Sequence, residues 1–398
     1  MRILWHSGAP WTPSGYGQQT LIFAPRIRDA GHDVAISAWW GLNGGAQEWK
    51  DMVIYPGDQR YGNVTLKMWV DHFGADLVLA LMDAWVLEPA AMRSLPLAVW
   101  TPVDHQPCTP KVAEFFRRSG ARTIAMSRFG EKMLQEEGLD PLYVPHGVDT
   151  KIFKPRFRDE TREMLNAKDS FLIGVVANNS GGMPPAGGPP RKAFPQIVMA
   201  FSAFHRQHPD AVLYLHTEMT GRPGLDNGLN MGRLLDRFEV PPSAVRFTNP
   251  VEMELGSHPI AMANLYSACD VLLSPSYGEG FGIPIVEAQA CGVPVIVTDW
   301  TSMTELCGVG WKVDGEPYYD TAHEAFFLGA FVGSIMEALE DAYENAAGMR
   351  EQAVEFAQAY DADHVMAEYW TPALEALAKP REVGPLPART RRPKKVTA

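Results

Sequence analysis

The sequence predicts an α/β protein built from two successive halves, each with a parallel sheet covered by helices, and a ligand cleft between the halves. The chain has 398 residues, which at roughly 150 residues per domain suggests two or three domains, most naturally two large ones. Short apolar strands alternate with segments of helical spacing from the first residues onward. This alternation stops at a linker over 151–155 and starts afresh at Phe171, which places the junction near residue 150.

Composition excludes several other classes of protein. Hydrophobic residues make up 46% of the chain and charged residues 21%, which rules out wholesale disorder. The formal net charge of −12 argues against a protein whose whole surface binds nucleic acid or an anionic membrane, although a local basic patch could still do so. The four cysteines form no Cys-x-x-Cys pair, and no signal segment or transmembrane stretch is visible. These observations predict a cytoplasmic protein without an integral membrane segment.

The first half opens with a strand, a loop, a helix and a second strand. Residues 2–5 are a short apolar strand, and the Gly-, Pro- and Ser-rich residues 7–17 are predicted to be a loop. A helix is expected over 18–30, disturbed in its middle by Pro25, and strand character resumes at 34–38. Further strands are predicted at 77–81, 97–101, 123–126 and 142–144, with helices at 111–120 and 128–137.

The second half repeats this pattern. Strands are predicted at 171–176, 212–215, 245–247, 271–274 and 294–298, and helices at 195–205, 260–268, 284–291, 325–344 and 350–378. Two low-complexity segments interrupt it. Residues 178–190 hold four glycines and four prolines and are predicted to form a mobile loop, and residues 379–398 hold seven Lys/Arg and are predicted to be disordered.

The segment 270–299 carries the clearest chemical signal. It is predicted to be strand, glycine-containing loop, helix and strand, with Pro284 in the first turn of the helix, where its missing N–H costs nothing. Free backbone amides and the positive end of the helix dipole make an anion site there, and phosphate is the obvious anion. Glu279 and Glu287 frame this site and would accept hydrogen bonds from sugar hydroxyls, as in a nucleotide-sugar site. The alternative is that Glu287 merely complements the helix dipole and Glu279 is solvated.

The same segment resembles a known signature. Ser276-Tyr277-Gly278-Glu279-Gly280-Phe281-Gly282-Ile283-Pro284, followed by Glu287-Ala288 and Cys291-Gly292-Val293-Pro294-Val295, closely resembles the motif of family 4 glycosyltransferases, with its two glutamates separated by seven residues. The segments 125–127, 144–149 and 153–155 resemble the interdomain region of that family. The resemblance implies the GT-B fold, in which two Rossmann-like domains face each other across a cleft.

The resemblance also implies a division of the chain. Residues 1–150 would be the acceptor-binding domain and residues 151–355 the nucleotide-sugar-binding domain. Residues 356–378 would form a helix that crosses back to the first domain, and residues 379–398 a basic disordered tail.

Several residues of the second half acquire roles through the resemblance. Glu279 would contact the donor sugar and Glu287 the nucleotide ribose. A basic pair, Arg191 and Lys192, would neutralise the diphosphate leaving group, although the long insert before the pair makes the position of Arg191 less secure. The backbone amides expected near the diphosphate are those of Gly280, Phe281, Gly282 and Ile283.

Candidates in the first half lie at predicted strand ends. The amides of Gly15 and Gly17 could contact donor phosphate or acceptor, or the Gly-x-Gly could be only a tight turn. Asp104 and His105 follow a strand, where open α/β sheets place ligands, and relatives have a histidine lining the cleft there. Asp104 could act on the acceptor hydroxyl, and the alternative is a capping Asp and a surface His. Weaker candidates are Asp83 and His6.

The implied reaction is transfer of a sugar from a nucleotide-diphosphate sugar to an acceptor hydroxyl with retention of configuration. No cofactor is implied. No Asp-x-Asp motif lies in a plausible site, so no metal is expected. Two alternatives stay open: a non-catalytic nucleotide-sugar-binding protein, and a transferase that uses its basic tail to act on modified DNA bases.

The acceptor, which could be a glycan, lipid, protein or modified nucleobase, is not identified by the sequence, nor are the sugar and the nucleotide. The amphipathic, basic segment 111–118 would suit peripheral contact with a membrane, or be an ordinary packed helix.

Overall fold

The computed structural model describes residues 1–58, 60–179, 190–220 and 228–379. The strands are β1 Arg2–Gly8, β2 Asp33–Trp40, β3 Gln47–Trp49, β4 Met52–Pro56, β5 Leu77–Leu81, β6 Leu97–Thr101, β7 Arg122–Ala125, β8 Leu142–Tyr143, β9 Phe171–Val176, β10 Ala211–His216, β11 Val245–Phe247, β12 Val271–Ser274, β13 Val295–Thr298, β14 Gly310–Val313, β15 Gly315–Asp320 and β16 Ala325–Ala330.

The α-helices are α1 Gly15–Asp29, α2 Leu66–Phe73, α3 Pro89–Met92, α4 Pro110–Ser119, α5 Arg128–Glu136, α6 Arg158–Met164, α7 Phe194–Gln207, α8 Met231–Arg237, α9 Pro250–Leu255, α10 Pro259–Ala268, α11 Ile283–Ala290, α12 Met303–Leu306, α13 Val332–Asn345, α14 Arg350–Ala357, α15 Ala362–Val365 and α16 Thr371–Ala378. Short 3-10 turns lie at Ala84–Val86, Pro242–Ala244, Ala346–Met349 and Gln358–Tyr360, and a π-helical turn at Met366–Trp370.

The strands form two large sheets. The first has the order β3-β4-β2-β1-β5-β6-β7-β8 and the second β11-β10-β9-β12-β13-β14, and only β3 runs antiparallel to its neighbour. The strand order reverses beside β1 in the first sheet and beside β9 in the second. In open α/β sheets such a reversal leaves a crevice at the carboxyl ends of the strands, where ligands bind.

The first helix begins earlier than the sequence predicted. The expected loop over 7–17 is wrong at its end, because α1 starts at Gly15. Ser14 caps the helix by accepting a hydrogen bond from the Gly17 amide at 3.1 Å, as serine commonly does at a helix start. Pro25 lies inside the helix, which continues to Asp29. The two glycines had favoured a loop, but a serine cap outweighs their low helix propensity.

The predicted helix over 325–344 is also wrong in its first part. Residues 315–330 form an antiparallel hairpin of β15 and β16, and α13 begins only at Val332. Short apolar runs such as that in β16 fit a strand or a buried helix equally well by pattern alone. The expected helix over 350–378 is interrupted near Asp361, whose side chain accepts hydrogen bonds from the backbone N–H groups of Asp363 and His364 and so starts α15. The elements β3, β4 and α2 were not predicted.

The last helical segment packs against the first sheet. Trp370 is fully buried, and its ring centroid lies 5.9 Å from that of Trp5, 5.8 Å from that of Phe23 and 4.9 Å from that of Trp100. The Arg122 side chain donates a 2.7 Å hydrogen bond to the Ala376 carbonyl. The chain thus returns to its first half before residue 379.

Two expectations fall largely outside the described residues. They are the mobile loop over 178–190, of which residues 180–189 are not described, and the basic tail, of which residues 380–398 are not described. Among the residues that are described, no helix combines the length and the apolar character needed to cross a bilayer.

Replacing Trp370 by alanine should strongly destabilise the protein, because it empties a fully buried aromatic site. We expect a loss of about 3–5 kcal/mol in the free energy of unfolding, measured by urea titration. Trp40, which is 37% exposed, is the matched control, and Trp40→Ala should cost less than about 1 kcal/mol. Equal losses in both variants would contradict this packing.

Candidate active site

The carboxyl ends of both sheets open onto one cleft of about 490 Å³. Its walls combine polar side chains, glycines and a few apolar residues from both halves of the chain. They are Ser14, Gly15, Tyr16, Asp83, Pro102, Asp104, Met126 and His146 from the first half, and Val176, Asn178, Arg191, Lys192, Ser274, Glu279, Gly280, Phe281, Gly282, Ile283, Pro284 and Ile285 from the second.

The loop between β12 and α11 is pressed against the first half. A Cβ added to Gly280 would lie 2.2 Å from Pro102 Cβ, and one added to Gly278 would lie 2.2 Å from the Asp104 carbonyl oxygen. These two glycines therefore permit close approach of the two halves. Gly282 has a φ of 104°, a conformation that favours glycine, and it turns the chain into α11.

Hydrogen bonds from the segment after β13 fix the same loop. The Glu279 amide donates to Thr301 Oγ1 at 3.0 Å. The Ser302 hydroxyl donates to the carbonyl oxygens of Glu279 at 2.8 Å and Phe281 at 2.6 Å. Buried hydroxyls that satisfy buried backbone groups hold a loop in one conformation. The Glu279 side chain is thereby directed into the cleft from a rigid support.

Glu279 lies at the centre of a buried charged cluster. Its carboxylate forms ion pairs with Lys192 and, at 3.2 Å, with Arg191. Arg191 also lies 3.7 Å from Asp104 and so connects the two halves of the chain. Burial alone would raise the pKa of Glu279, but the positive charges of Lys192 and Arg191 hold that pKa at about 2. Burial lowers the pKa of Lys192, against the attraction of Glu279.

A second polar pair lines the opposite wall. The Tyr16 hydroxyl donates a 3.0 Å hydrogen bond to Asp83. Burial and the nearby charge of Asp104 raise the pKa of Asp83, and burial together with Asp83 raises the pKa of Tyr16 well above its usual value. These two groups are therefore suited to hydrogen bonding with a neutral polar ligand.

His105 lies behind Asp104, and its side chain is only 3% exposed. Its Nδ1 lies 2.7 Å from Asp104 Oδ1, and its Nε2 lies 3.3 Å from Asp320 Oδ2. Burial would raise the pKa of Asp104, but the hydrogen bond from His105 and the charges of His105, Arg191 and His323 hold it at about 2. Asp104 itself faces the cleft, so His105 is placed to orient it.

Glu287 is buried one turn into α11, outside the set of cleft-lining residues. It accepts a 2.9 Å hydrogen bond from the Tyr266 hydroxyl and is 5% exposed. Burial raises the pKa of this carboxyl to about 7, and the hydrogen bond from Tyr266 opposes the rise.

The structure brings most of the residues singled out in the sequence into one place. The candidates that line the cleft together are Glu279, Asp104, Lys192, Arg191, Gly280, Phe281, Gly282, Ile283 and Gly15. His105, Glu287 and Gly17 lie behind the walls, and the Gly17 amide is taken by the Ser14 cap. His6 is fully buried and contacts the Ser37 and Tyr61 carbonyl oxygens, away from the cleft.

Sequence reasoning missed several residues of this region. Tyr16, between the candidates Gly15 and Gly17, was missed, whereas its partner Asp83, a weaker candidate from the sequence, lines the cleft. Tyr266 had none, because it comes from a helix remote in sequence from Glu287. Asp320 and His323 were missed because their hairpin was not foreseen.

Comparisons with known proteins bear on the family and the fold. The protein-family model described as "Glycosyl transferases group 1" matches residues 187–326. The D-inositol 3-phosphate glycosyltransferase of Geodermatophilus obscurus is 31% identical over 172 residues, covering 42% of this chain and 35% of that protein. The protein of the same name from Stackebrandtia nassauensis is 26% identical over 246 residues, covering 60% of this chain and 50% of that protein. The chain thus spans half or less of the length of these curated relatives.

Solved structures resemble the whole architecture. Sucrose-phosphate synthase from Thermosynechococcus elongatus superposes with a TM-score of 0.74 at 16% identity, covering 95% of this chain and 99% of that one. Anabaena Alr3699/HepE, solved in complex with UDP-glucose, gives a TM-score of 0.68 at 16% identity, covering 94% of this chain and 100% of that one.

The fold is that of the GT-B glycosyltransferases, as the sequence predicted. The match of residues 187–326 to the glycosyl transferases group 1 model confirms the resemblance to family 4 glycosyltransferases.

The raised pKa of Glu287 predicts a pH-dependent stability. Because its pKa is about 7 in the folded protein against a usual 4.5, the folded state holds a proton that the unfolded state releases. The free energy of unfolding should therefore fall by roughly 3 kcal/mol through this group as pH rises from about 4.5 to 7. Urea titrations at several pH values give the free energy of unfolding of the wild type and of Glu287→Gln. The difference between the two free energies should change as pH rises to about 7 and become constant above pH 7. Parallel curves throughout would contradict the assignment.

Proposed function

We propose that this protein transfers a sugar from a nucleoside-diphosphate sugar to an acceptor hydroxyl with retention of anomeric configuration. The observation that supports this most is the cluster of Glu279, Arg191 and Lys192 in the cleft between the sheets. Two cations beside a helix amino terminus suit a diphosphate, and a carboxylate beside them suits sugar hydroxyls.

Donor binding would rearrange the charges of this cluster. Without a donor, Glu279 pairs with both Arg191 and Lys192 in a buried site, and Asp104 supplies the second negative charge near Arg191. An incoming diphosphate takes over these cations and leaves Glu279 to accept hydrogen bonds from the donor sugar. In the transition state the same cations stabilise the charge that develops on the leaving diphosphate.

The proton of the acceptor hydroxyl requires a base. A carboxylate whose pKa is about 2 is a weak base, so Asp104 is suited to holding a hydroxyl by a hydrogen bond and poorly suited to removing its proton. The leaving diphosphate is the stronger base on the same face of the sugar, and we assign deprotonation to it. Protein groups then contribute positioning and charge stabilisation.

The similar proteins suggest which donors and acceptors to test first. Anabaena Alr3699/HepE is described in complexes with UDP and with UDP-glucose, so UDP-sugars are the first donors to test. The curated relatives are named D-inositol 3-phosphate glycosyltransferases, which makes inositol 3-phosphate a first acceptor. The four cysteines are all free, which fits the reducing cytoplasm that we propose as the place of action.

The deciding experiment is a panel of UDP-, GDP-, ADP- and TDP-sugars, first by thermal shift and then by mass spectrometry of transfer and hydrolysis products. If the protein is a transferase, binding of its donor raises its melting temperature, and the reaction releases nucleoside diphosphate. A donor that binds without release would instead indicate a non-catalytic nucleotide-sugar-binding protein. No response to any donor would contradict the proposal.

Glu279→Gln should lower kcat by about 10²–10³, because the amide cannot balance the cations or accept from the sugar as a carboxylate does. Glu163→Gln is the matched control, since Glu163 is exposed and pairs only with Lys168 at 2.7 Å. Initial rates at saturating donor give the comparison. Similar rates for Glu279→Gln and the wild type would refute the role of this carboxylate.

We further propose that the transfer needs no metal at the diphosphate, because Arg191 and Lys192 provide its counter-charge. Activity should therefore persist in excess EDTA, measured as the initial rate of nucleoside diphosphate release. Complete loss of activity in EDTA, with recovery when Mg²⁺ or Mn²⁺ is added, would contradict metal-independent transfer.

A further inference from the structure

A cluster of two histidines and one aspartate lies beneath the cleft wall, and of its members only His105, which orients Asp104, has a part in the proposed transfer. Suitable ligand atoms of His105, Asp320 and His323 all lie within 4.8 Å of one another. The His105 Nε2 to Asp320 Oδ2 distance is 3.3 Å, and the His323 Nδ1 to Asp320 Oδ2 distance is 2.6 Å. We propose that these three side chains bind one divalent transition-metal cation of the zinc type.

The metal-binding atoms of the three side chains favour zinc. Two imidazole nitrogens and one carboxylate oxygen form a typical three-ligand zinc set, which leaves a fourth position for water. At zinc–ligand distances of about 2.0–2.1 Å, tetrahedral ligands lie roughly 3.3 Å apart, as His105 Nε2 and Asp320 Oδ2 do, whereas the 2.6 Å between His323 Nδ1 and Asp320 Oδ2 would lengthen on binding. Mg²⁺ and Ca²⁺ prefer oxygen ligands throughout and fit this set poorly.

The surrounding groups orient two of the ligands as in metal sites. The Asp104 carboxylate lies 2.7 Å from His105 Nδ1, so the N–H donated there leaves Nε2 with a free lone pair directed at Asp320. A carboxylate behind a ligating histidine is the usual outer partner in zinc sites. The Ala322 amide donates a 2.9 Å hydrogen bond to Asp320 Oδ1, which leaves Oδ2 for the cluster.

Charge and burial are consistent with a cation. With neutral imidazoles, the cluster carries the negative charge of Asp320, and Asp104, which Arg191 also faces at 3.7 Å, adds a second negative charge beside it. The side chains of His105, Asp320 and His323 are 3%, 10% and 25% exposed, so solvent reaches the cluster mainly through His323. His323 would bind through Nδ1 by moving its proton to Nε2.

The site would connect the two halves of the chain. His105 follows β6 of the first sheet, and the other two ligands lie at the turn between β15 and β16. That hairpin already contacts the first half through paired backbone hydrogen bonds between Gln106 and Phe326, of 3.1 and 2.9 Å. A bound ion would add a further link between hairpin and first half, next to Asp104.

The test is calorimetric titration of ZnCl₂ into the untagged full chain, stripped with EDTA and then freed of chelator. We expect one equivalent to bind, and Co²⁺ in its place to show the visible absorption of a four- or five-coordinate ion. His323→Ala and Asp320→Asn should each raise the Kd at least about 10–100-fold. His364→Ala, which removes an exposed histidine outside the cluster, should leave the Kd unchanged.

Melting temperatures in EDTA verify that each variant is folded. Absence of equimolar binding to the wild type, or an unchanged Kd in the folded His323→Ala protein, would overturn the proposal and leave the three side chains as a hydrogen-bonded cluster. Zinc binding is measured without donor or acceptor. Its outcome is therefore independent of whether the chain transfers sugar.

Discussion

The close approach of the 278–282 loop to the segment after β6 is the constraint on which the site depends. Gly278 and Gly280 leave no room for a side chain against Asp104 and Pro102. This approach places Glu279 and its two cations against the first half, where Arg191 comes within 3.7 Å of Asp104. A wider separation would hydrate these charges and reduce their mutual attraction.

Burial of that many charges is tolerable only because they balance. Glu279 and Asp104 stay ionised at low pKa values because Arg191, Lys192 and His105 surround them. The same balance makes the cluster responsive to a ligand, since a diphosphate can replace the carboxylates as partner of the cations. Glu287, by contrast, has no cation beside it among the residues that the structure describes, and burial accordingly raises its pKa.

Sequence reasoning reached the fold and the main wall of the cleft because both depend on local patterns. Strand and helix alternation is visible in β1, β9 and β12, and the glycine and glutamate spacing of the 276–287 segment is contiguous. The hairpin of β15 and β16 was mistaken for helix because its strands are stabilised by Gln106, Tyr277 and each other, contacts that no local pattern reveals. The start of α1 was missed because glycines favoured a loop, although Ser14 was a visible cap.

The residues that lie behind the cleft walls could not be predicted from local patterns either. Tyr266 with Glu287, and Asp320 with His105, are pairs formed by packing between distant segments. Spacing along the chain carries no information about such pairs.

The proposed transfer depends on a diphosphate site formed by Arg191 and Lys192 within the cleft. Calorimetric binding of UDP and of uridine to the wild type and to Lys192→Met tests this site. The variant should lose about 10-fold or more in affinity for UDP while its affinity for uridine is unchanged. Equal UDP affinity in both proteins, with the variant shown to be folded, would contradict it.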